Sequence, residues 1–382
     1  MKPTDTIPFH KPHSTGKELA YIAEALANTY LAGGGPIMQR CQAWLQRQTG
    51  CALALLTHSC TAALEMAALL LEIQPNDEII LPSYTFVSTA SAFVMRGGVP
   101  VFIDIRSDTL NIDETLIESA ITPRTRAIVV VHYAGVSCHM DPILKVAKQY
   151  GLAVVEDAAH GIMASYQGKP LGCIGDLGSY SFHATKNIIS GEGGCLLIND
   201  PCLSEKAEII REKGTNRMQF LRGEVDKYTW QMLGSSFLPG ELTAAFLWAQ
   251  LEEAQSITQQ RINCWEYYQE NLQSLENQGL LHRPTIPPDC RHNAHLYYLL
   301  LAPEINKQQV INTCRQHGIE LSSHYVPLHY SPAGKKYGKV HGQLKITESI
   351  AQRLIRLPLW VGLKKSQQQH IINILNRSLK LA

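Results

Sequence analysis

The chain has 382 residues, of which 45% are hydrophobic and 18% charged, and its formal net charge at pH 7 is +1. This composition is ordinary for a globular protein with a large core, and the length predicts two domains. The near-zero charge argues against a nucleic-acid or membrane partner, because either would call for a basic surface.

The amino-terminal stretch MKPTDTIPFHKPHSTG lacks the apolar segment of a signal peptide, and no apolar run is long enough to span a bilayer. We therefore expect a cytoplasmic protein. The ten cysteines contain no Cys-x-x-Cys pair and no histidine cluster at zinc-like intervals. They predict reduced thiols and no metal site.

Seven short apolar runs alternate with helix-like segments in the first part of the chain. Most are apolar throughout, which is typical of strands buried on both faces of a parallel sheet. The intervening segments, such as Thr61–Glu72 and Pro142–Tyr150, have helical periodicity. The predicted strands are Ala52–Leu56, Glu78–Leu81, Val99–Ile103, Ala127–Val131, Ala153–Val155, Ser179–Phe182 and Cys195–Ile198.

The pattern changes near Leu251, where a long helical segment begins. A proline-rich stretch, the apolar run Leu296–Leu301 and helical patterns over Lys307–His317 and Gln367–Leu379 follow. We predict a large α/β domain over residues 1–251 and a smaller α+β domain over residues 252–382.

Polar groups follow three of the predicted strands, at the sheet edge where open α/β proteins bind ligands. Cys60 and Thr61 begin a helix, where free N–H groups can hold an anion, although a plain helix cap has the same pattern. Asp157 ends a buried strand and can pair with a pyridinium nitrogen, cap a turn or bind a metal. Lys186 lies between two strands, where burial would make it a nucleophile, whereas most lysines lie on the surface. Together these groups match a pyridoxal phosphate (PLP) site, with Lys186 holding the cofactor as a Schiff base.

Several segments, taken together, resemble the sugar-nucleotide aminotransferases of the DegT/StrS type. They are SCTAALEMAALLL, LPSYTFVSTASAFV, VEDAAHG, SYSFHATKN, GEGG and HYVPLH. The segment REKGTNRMQFLRGEVDKYTW is similar to the branch that makes dTDP-4-amino-4,6-dideoxygalactose. The resemblance implies PLP fold type I: a mostly parallel seven-stranded sheet sandwiched by helices, with a smaller α+β carboxyl-terminal domain. It also implies a homodimer with active sites at the interface.

The resemblance assigns roles to individual residues. Lys186 forms the Schiff base and moves the proton, Asp157 pairs with the pyridine nitrogen, and Phe86 stacks on the ring. The phosphate contacts are Cys60, Thr61 and Ser181, and His160 lies by the phenolic oxygen. The implied substrate-side residues are Tyr84, His183, His324, Tyr325 and His329.

The chain departs from the family pattern after Gly234. Many members have an asparagine there that reaches the partner subunit's phosphate, and Ser236 would have to replace it. Pro239-Gly240 and Thr243 also differ from the common pattern.

The implied reaction transfers an amino group from glutamate to the 4-keto carbon of dTDP-4-keto-6-deoxyglucose, giving the galacto product for surface-glycan synthesis. Three alternatives stay open at this stage. They are the gluco epimer or another keto sugar, a PLP-fold dehydratase, which would lack the lysine, and a non-catalytic sugar-nucleotide binding module.

Overall fold

Fourteen strands and fifteen α-helices form residues 6–380, which a computed structural model describes. The ends of the two predicted domains, residues 1–5 and 381–382, lie outside these described residues. The strands are β1 (Leu53–Thr57), β2 (Glu78–Pro82), β3 (Val99–Ile103), β4 (Thr125–Val131), β5 (Ala153–Asp157), β6 (Ser165–Tyr166), β7 (Lys169–Pro170), β8 (Leu177–Ser181), β9 (Gly194–Ile198), β10 (Leu281–His282), β11 (Cys290–Arg291), β12 (Tyr297–Leu301), β13 (Lys339–Val340) and β14 (Leu354–Leu357). The helices are α1 (Glu18–Ala27), α2 (Pro36–Thr49), α3 (Cys60–Leu70), α4 (Val87–Val94), α5 (Ile117–Ala120), α6 (Met140–Tyr150), α7 (Ser204–Arg211), α8 (Arg217–Leu221), α9 (Glu241–Glu252), α10 (Ala254–Asn271), α11 (Gln273–Asn277), α12 (Lys307–Gln316), α13 (Pro332–Tyr337), α14 (Lys345–Arg353) and α15 (Lys365–Leu379).

The large sheet has the strand order β1-β9-β8-β5-β4-β2-β3-β13. All seven predicted strands are in it, and the eighth, β13, is a two-residue strand added at the edge by the carboxyl-terminal part of the chain. β9 is antiparallel to both neighbours, while β8, β5, β4, β2, β3 and β13 pair in parallel. The prediction of a mostly parallel α/β sheet is confirmed.

Helices cover both faces of this sheet, which explains why its strands are apolar throughout. Successive strand residues point to opposite faces. Leu56 therefore packs in the core on the face covered by α2 and α9, whereas its neighbour Leu55 packs with α3 and α4 on the other face. The same alternation holds at Ile128 and Val129 in β4.

A second core lies around the three-stranded antiparallel sheet β10-β12-β14. Helices α10, α12 and α15 pack on it. The predicted long helix from Leu251 is instead three helices, interrupted at Glu253 and Leu272. The first interruption is two residues from the predicted domain boundary at 251/252, which stays a prediction.

The topology brings the carboxyl ends of the parallel strands to one edge of the sheet. Because β9 runs the other way, its first residue, Gly194, lies at that edge too, paired with Thr57 and Ser181. Three candidate elements therefore meet there: the start of α3, the end of β5 and the loop after β8. Among residues 6–380, no helix is both long and apolar enough to cross a membrane.

Candidate active site

A cavity of about 660 Å³ opens at the carboxyl-terminal edge of the large sheet. Its other side is closed by Phe9 of the amino-terminal segment, His295 from the loop before β12 and Arg356 of β14. Ten of the predicted site residues line it: Cys60, Thr61, Phe86, Asp157, His160, Ser181, His183, Lys186, His324 and Tyr325.

The start of α3 is built to hold an anion. Ser59 caps the helix by accepting a hydrogen bond from the Ala62 N–H at 3.1 Å. Within residues 6–380, the N–H groups of Cys60 and Thr61 have no acceptor. Free N–H groups at the positive end of an eleven-residue helix fit a phosphate.

Gly194 allows β9 to approach this cradle closely. A Cβ atom at Gly194 would lie 2.4 Å from the Cys60 nitrogen and 2.4 Å from the Ser59 carbonyl carbon. Both are backbone atoms, so any side chain would displace the start of α3.

The Cys60 thiol stays protonated near neutral pH. Burial is the main cause that raises its pKa, to about 12, and the nearby Asp157 carboxylate adds to the rise. Its Sγ lies 3.5 Å from Ser179 Oγ. Because a thiol is a weak nucleophile compared with a thiolate, Cys60 contributes its backbone N–H rather than reactive sulfur.

Asp157 is a buried carboxylate at the end of β5. Its Oδ2 accepts from Thr89 Oγ1 at 2.7 Å, and its Oδ1 accepts from the Ala159 N–H at 3.1 Å. Thr89 Oγ1 lies 2.8 Å from Thr85 Oγ1, so the carboxylate is held in a fixed orientation. In the described part of the chain no cationic side chain forms a salt bridge with Asp157. An oriented carboxylate that lacks a cation fits a pyridinium N–H.

The neighbouring Glu156 carboxylate supports the sheet edge from the other face. Its oxygens accept from the N–H groups of Gly172, Ile174 and Gly175 at 2.6–2.8 Å, and lie 2.7 Å from His132 Nε2. The two consecutive carboxylates thus have different roles. Glu156 binds the loop that contains Gly172 and Gly175, whereas Asp157 lines the cavity.

Lys186 lies in the loop between β8 and β9, with its side chain in the cavity wall. Within residues 6–380 its amine has no hydrogen-bond or salt-bridge partner. Burial lowers the pKa of Lys186, the charges of Cys60 and Asp157 partly oppose this, and Arg356 lowers it further. A lower pKa increases the neutral fraction of the amine, which is the nucleophilic form.

Three histidine rings form a stack beside Lys186. His160 lies 4.0 Å from His295 with an interplanar angle of 20°, and 6.3 Å from His324 at 19°. Burial is the main cause that lowers the pKa of all three well below 6.5. They are therefore neutral at pH 7. Tyr325 Oη lies 3.5 Å from His160 Nε2, and Tyr133 Oη lies 2.7 Å from His324 Nδ1.

Three predicted site residues do not line this cavity. Tyr84 is buried behind Tyr325, with ring centroids 5.5 Å apart. His329 is buried with its Nδ1 2.7 Å from Ser83 Oγ. Ser236 lines a second cavity of about 370 Å³, together with Lys213, Arg217 and Tyr228 among others. The roles of Tyr84, His329 and Ser236 stay predictions.

Sequence reasoning missed several residues that reach the cavity, namely Phe9, His10, Arg261, His295 and Arg356. One had a usable signal, because Arg356 interrupts the apolar run of β14, LIRL. The others come from loops and from α10, where no local pattern marks them.

The cavity provides the three contacts that PLP requires: an anion cradle at Cys60 and Thr61, a carboxylate at Asp157 and a free amine at Lys186. Comparison with known proteins agrees with this arrangement. Residues 12–376 match the family model described as the DegT/DnrJ/EryC1/StrS aminotransferase family.

Individual relatives are similar over nearly their whole length. The spore coat polysaccharide biosynthesis protein SpsC of Bacillus subtilis is 32% identical, with 98% of this chain and 97% of the relative covered. GDP-perosamine synthase of Caulobacter vibrioides is 30% identical, with 96% and 97% covered. The PLP form of the putative sugar aminotransferase Spr1654 of Streptococcus pneumoniae is 25% identical, has a TM-score of 0.89, and is covered over 99% of both chains.

The fold and the site therefore define an aminotransferase of the PLP-dependent type. The chain belongs to the DegT/DnrJ/EryC1/StrS aminotransferase family. The family, the fold, the enzyme class and the PLP cofactor predicted from the sequence are confirmed.

Proposed function

We propose that this aminotransferase moves the amino group of glutamate to the 4-keto carbon of dTDP-4-keto-6-deoxyglucose, giving dTDP-4-amino-4,6-dideoxygalactose. The observation that carries the amine-transfer step is the half-buried amine of Lys186, which lines the same cavity as the Asp157 carboxylate and the anion cradle of α3. A relative named GDP-perosamine synthase supports a nucleotide-linked sugar as the acceptor.

The choice of the galacto product rests on the similarity of residues 211–230 to that branch of the family. Part of this segment, including Lys213, Arg217 and Tyr228, lines the second cavity together with Ser236. We propose that the second cavity belongs to the site of a partner subunit in a homodimer. Large apolar side chains exposed nearby, such as Trp230 and Leu233, support an interface there.

PLP, when bound, supplies an electron-withdrawing ring that stabilises negative charge on the carbon next to the transferred nitrogen. Asp157 would hold the ring nitrogen in its protonated form, and the Cys60 and Thr61 N–H groups would hold the phosphate. Phe86, an exposed side chain in the cavity lining, would pack against the ring. In each half-reaction Lys186 Nζ would move a proton between the substrate carbon and the cofactor. The neutral His160 imidazole would offer the phenolic oxygen a hydrogen-bonding group without adding a positive charge.

The test is an amine-transfer assay with purified protein, PLP, glutamate and dTDP-4-keto-6-deoxyglucose, in which NMR gives the configuration of the product. An axial 4-amine that is absent with Lys186→Ala supports the galacto aminotransferase. An equatorial amine would keep the transfer and replace the product by the gluco epimer. If PLP is bound but no amine forms, other keto sugars are assayed next, and failure with all of them would favour a binding module. We also propose that the enzyme acts in the cytoplasm.

A further inference from the structure

Arg356 is a cavity cation without an anionic partner. Its Nε donates to the Ser323 carbonyl oxygen at 3.0 Å, and its Nη2 donates to the same oxygen at 2.8 Å and to Ser322 Oγ at 3.1 Å. Among the residues that the structure describes, Nη1 has no acceptor and no carboxylate forms a salt bridge with Arg356. Because a guanidinium has five N–H donors, the free Nη1 side can still bind an anion.

Arg356 lines the same cavity as the reacting amine of Lys186. The Phe9 ring covers one face of the guanidinium, with 4.7 Å between the Arg356 Cζ and the ring centroid. The cation also lowers the pKa values of Lys186, His160 and His324, although burial is the larger cause for each. The charge therefore lies within electrostatic reach of the site of amine transfer.

Arg261, the other arginine of the cavity wall, is engaged differently. Its Nε donates to the Ala294 carbonyl oxygen at 3.1 Å and its Nη2 to the His295 carbonyl oxygen at 2.6 Å. Its charge affects the pKa of His295 rather than that of Lys186. Arg261 thus ties α10 to the loop before β12, and Arg356 is the better placed of the two to meet a substrate anion.

The positions of the anionic groups on the two substrates indicate which of them Arg356 can bind. An α-amino acid carries its carboxylate on the same carbon as the nitrogen that is transferred at Lys186. A nucleotide-linked 4-keto sugar carries its diphosphate on C1, across the sugar ring from the reacting C4. A cation close to Lys186 therefore matches the carboxylate, while the cofactor phosphate already has the cradle at α3.

We propose that Arg356 binds the α-carboxylate of the amino donor and makes the enzyme select α-amino acids over simple amines. The proposal rests on the proposed amino-acid donor and is independent of which sugar is the acceptor. Arg356 has a positioning role as well, since it holds the Ser322–Ser323 backbone next to His324 and Tyr325. The experiment has to separate these two roles.

The separating measurement is the first half-reaction alone, followed by the absorbance change of the PLP-loaded enzyme, with glutamate and with 4-aminobutyrate. The second amine is glutamate without its α-carboxylate. Loss of a charge-assisted hydrogen bond lowers the rate constant for glutamate about 10- to 100-fold in Arg356→Met. The rate constant for 4-aminobutyrate is expected to fall by no more than about threefold, because that amine has no carboxylate at this position and loses only the positioning effect of Arg356. A purely positioning role would lower both rate constants equally, which would overturn the proposal.

A binding measurement gives a second, non-catalytic readout. α-Methylglutamate keeps the carboxylate but lacks the hydrogen that transamination removes, so titrating the PLP-loaded enzyme with it gives a dissociation constant. We expect a weakening of about 10-fold or more in Arg356→Met and a smaller one in Arg356→Lys, which keeps the charge. Equal affinities in all three proteins would contradict the assignment.

Arg353→Met is the matched control. Arg353 is half-buried like Arg356 and donates to the Leu301 carbonyl oxygen at 3.0 Å, but it lies outside the cavity lining. We expect wild-type donor selectivity from it. Because the sugar takes no part in these measurements, a wrong sugar assignment would leave their outcome unchanged.

Discussion

At the residue scale, burial shifts the pKa values of several polar groups in the cavity. Lys186 and the three stacked histidines lose affinity for protons, whereas the Cys60 thiol gains it. The result is a lysine with an increased neutral fraction beside neutral imidazoles and the Asp157 carboxylate. This is the charge arrangement needed by a lysine that both forms a bond and transfers a proton.

Replacing Lys186 by alanine should abolish amine transfer without unfolding the protein. Its amine has no hydrogen-bond or salt-bridge partner in residues 6–380, so folding loses no such contact. We expect the rate to fall by at least about 10³-fold, since both bond formation and proton transfer are lost. The amine-transfer assay and the thermal midpoint are measured together, with Lys169→Ala, an exposed lysine in β7, as the control. Activity within tenfold of wild type would remove Lys186 from the mechanism.

At the element scale, two contacts fix the cofactor side and the substrate side of the cavity. Gly194 of β9 touches the start of α3, and Ser83 after β2 binds His329 through its hydroxyl and Leu328 through its carbonyl oxygen. The second contact anchors the segment that carries His324 and Tyr325. His329 thus supports that segment in the structure, while its predicted contact with the substrate stays a prediction.

Gly194→Ala adds only one methyl group, but we expect it to weaken PLP binding. The added methyl group would meet the backbone of Ser59 and Cys60 at 2.4 Å, so α3 or β9 must move and the anion cradle must open. Overpacking of this kind costs about 1–3 kcal/mol. We expect both a lower thermal midpoint and a raised PLP dissociation constant.

Gly151→Ala is the control that separates a loss of stability from a loss of PLP binding. Gly151 has a φ of +65° at the end of α6, and no atom lies within 4 Å of the added methyl group. This variant should lose stability through backbone strain alone and bind PLP normally. If Gly194→Ala also bound PLP normally, the cradle would not depend on this close contact.

At the scale of the whole molecule, stability should fall in mild acid. His160, His295 and His324 have folded-state pKa values below the 6.5 of an unfolded histidine. Below pH 6.5 the unfolded chain therefore binds more protons than the folded one, and stability that is present at neutral pH is lost. Urea denaturation midpoints at pH 7.5 and 5.5 measure this loss. His160→Gln should reduce the difference, and His370→Gln, at an exposed position of α15, should leave it unchanged.

The proposed dimer predicts complementation between two inactive variants. If Ser236 serves the site of the partner subunit, a mixed dimer of Lys186→Ala and Ser236→Ala subunits has one site with both residues intact. Random mixing makes about half of the dimers mixed, each with one of its two sites intact, so about a quarter of wild-type activity should return. Each variant alone should be weakly active or inactive. Full activity of Ser236→Ala alone, or no gain on mixing, would contradict a shared site.

The sequence by itself determined the seven strands of the large sheet, because strands buried on both faces form continuous apolar runs wherever they lie in the chain. It also located Lys186, Asp157 and the start of α3, because ligand groups in α/β proteins follow strand ends. These signals are local, since each depends on a few neighbouring residues. The prediction of one long helix from Leu251 onward was wrong. The helical periodicity of the sequence continues across the short breaks at Glu253 and Leu272 and does not reveal them.

Only the tertiary structure decided the antiparallel direction of β9, the addition of β13, and which distant residues meet at the cavity. Apolar patterns report burial but not which strand lies next to which, so direction and neighbours depend on packing across long separations in sequence. For the same reason Arg356 of β14 and His295 before β12 line the cavity with Lys186, and Ser236 lines a second cavity. The chemistry of the site could thus be inferred from residues at strand ends, whereas the groups that select its substrates depend on how the two parts of the chain pack together.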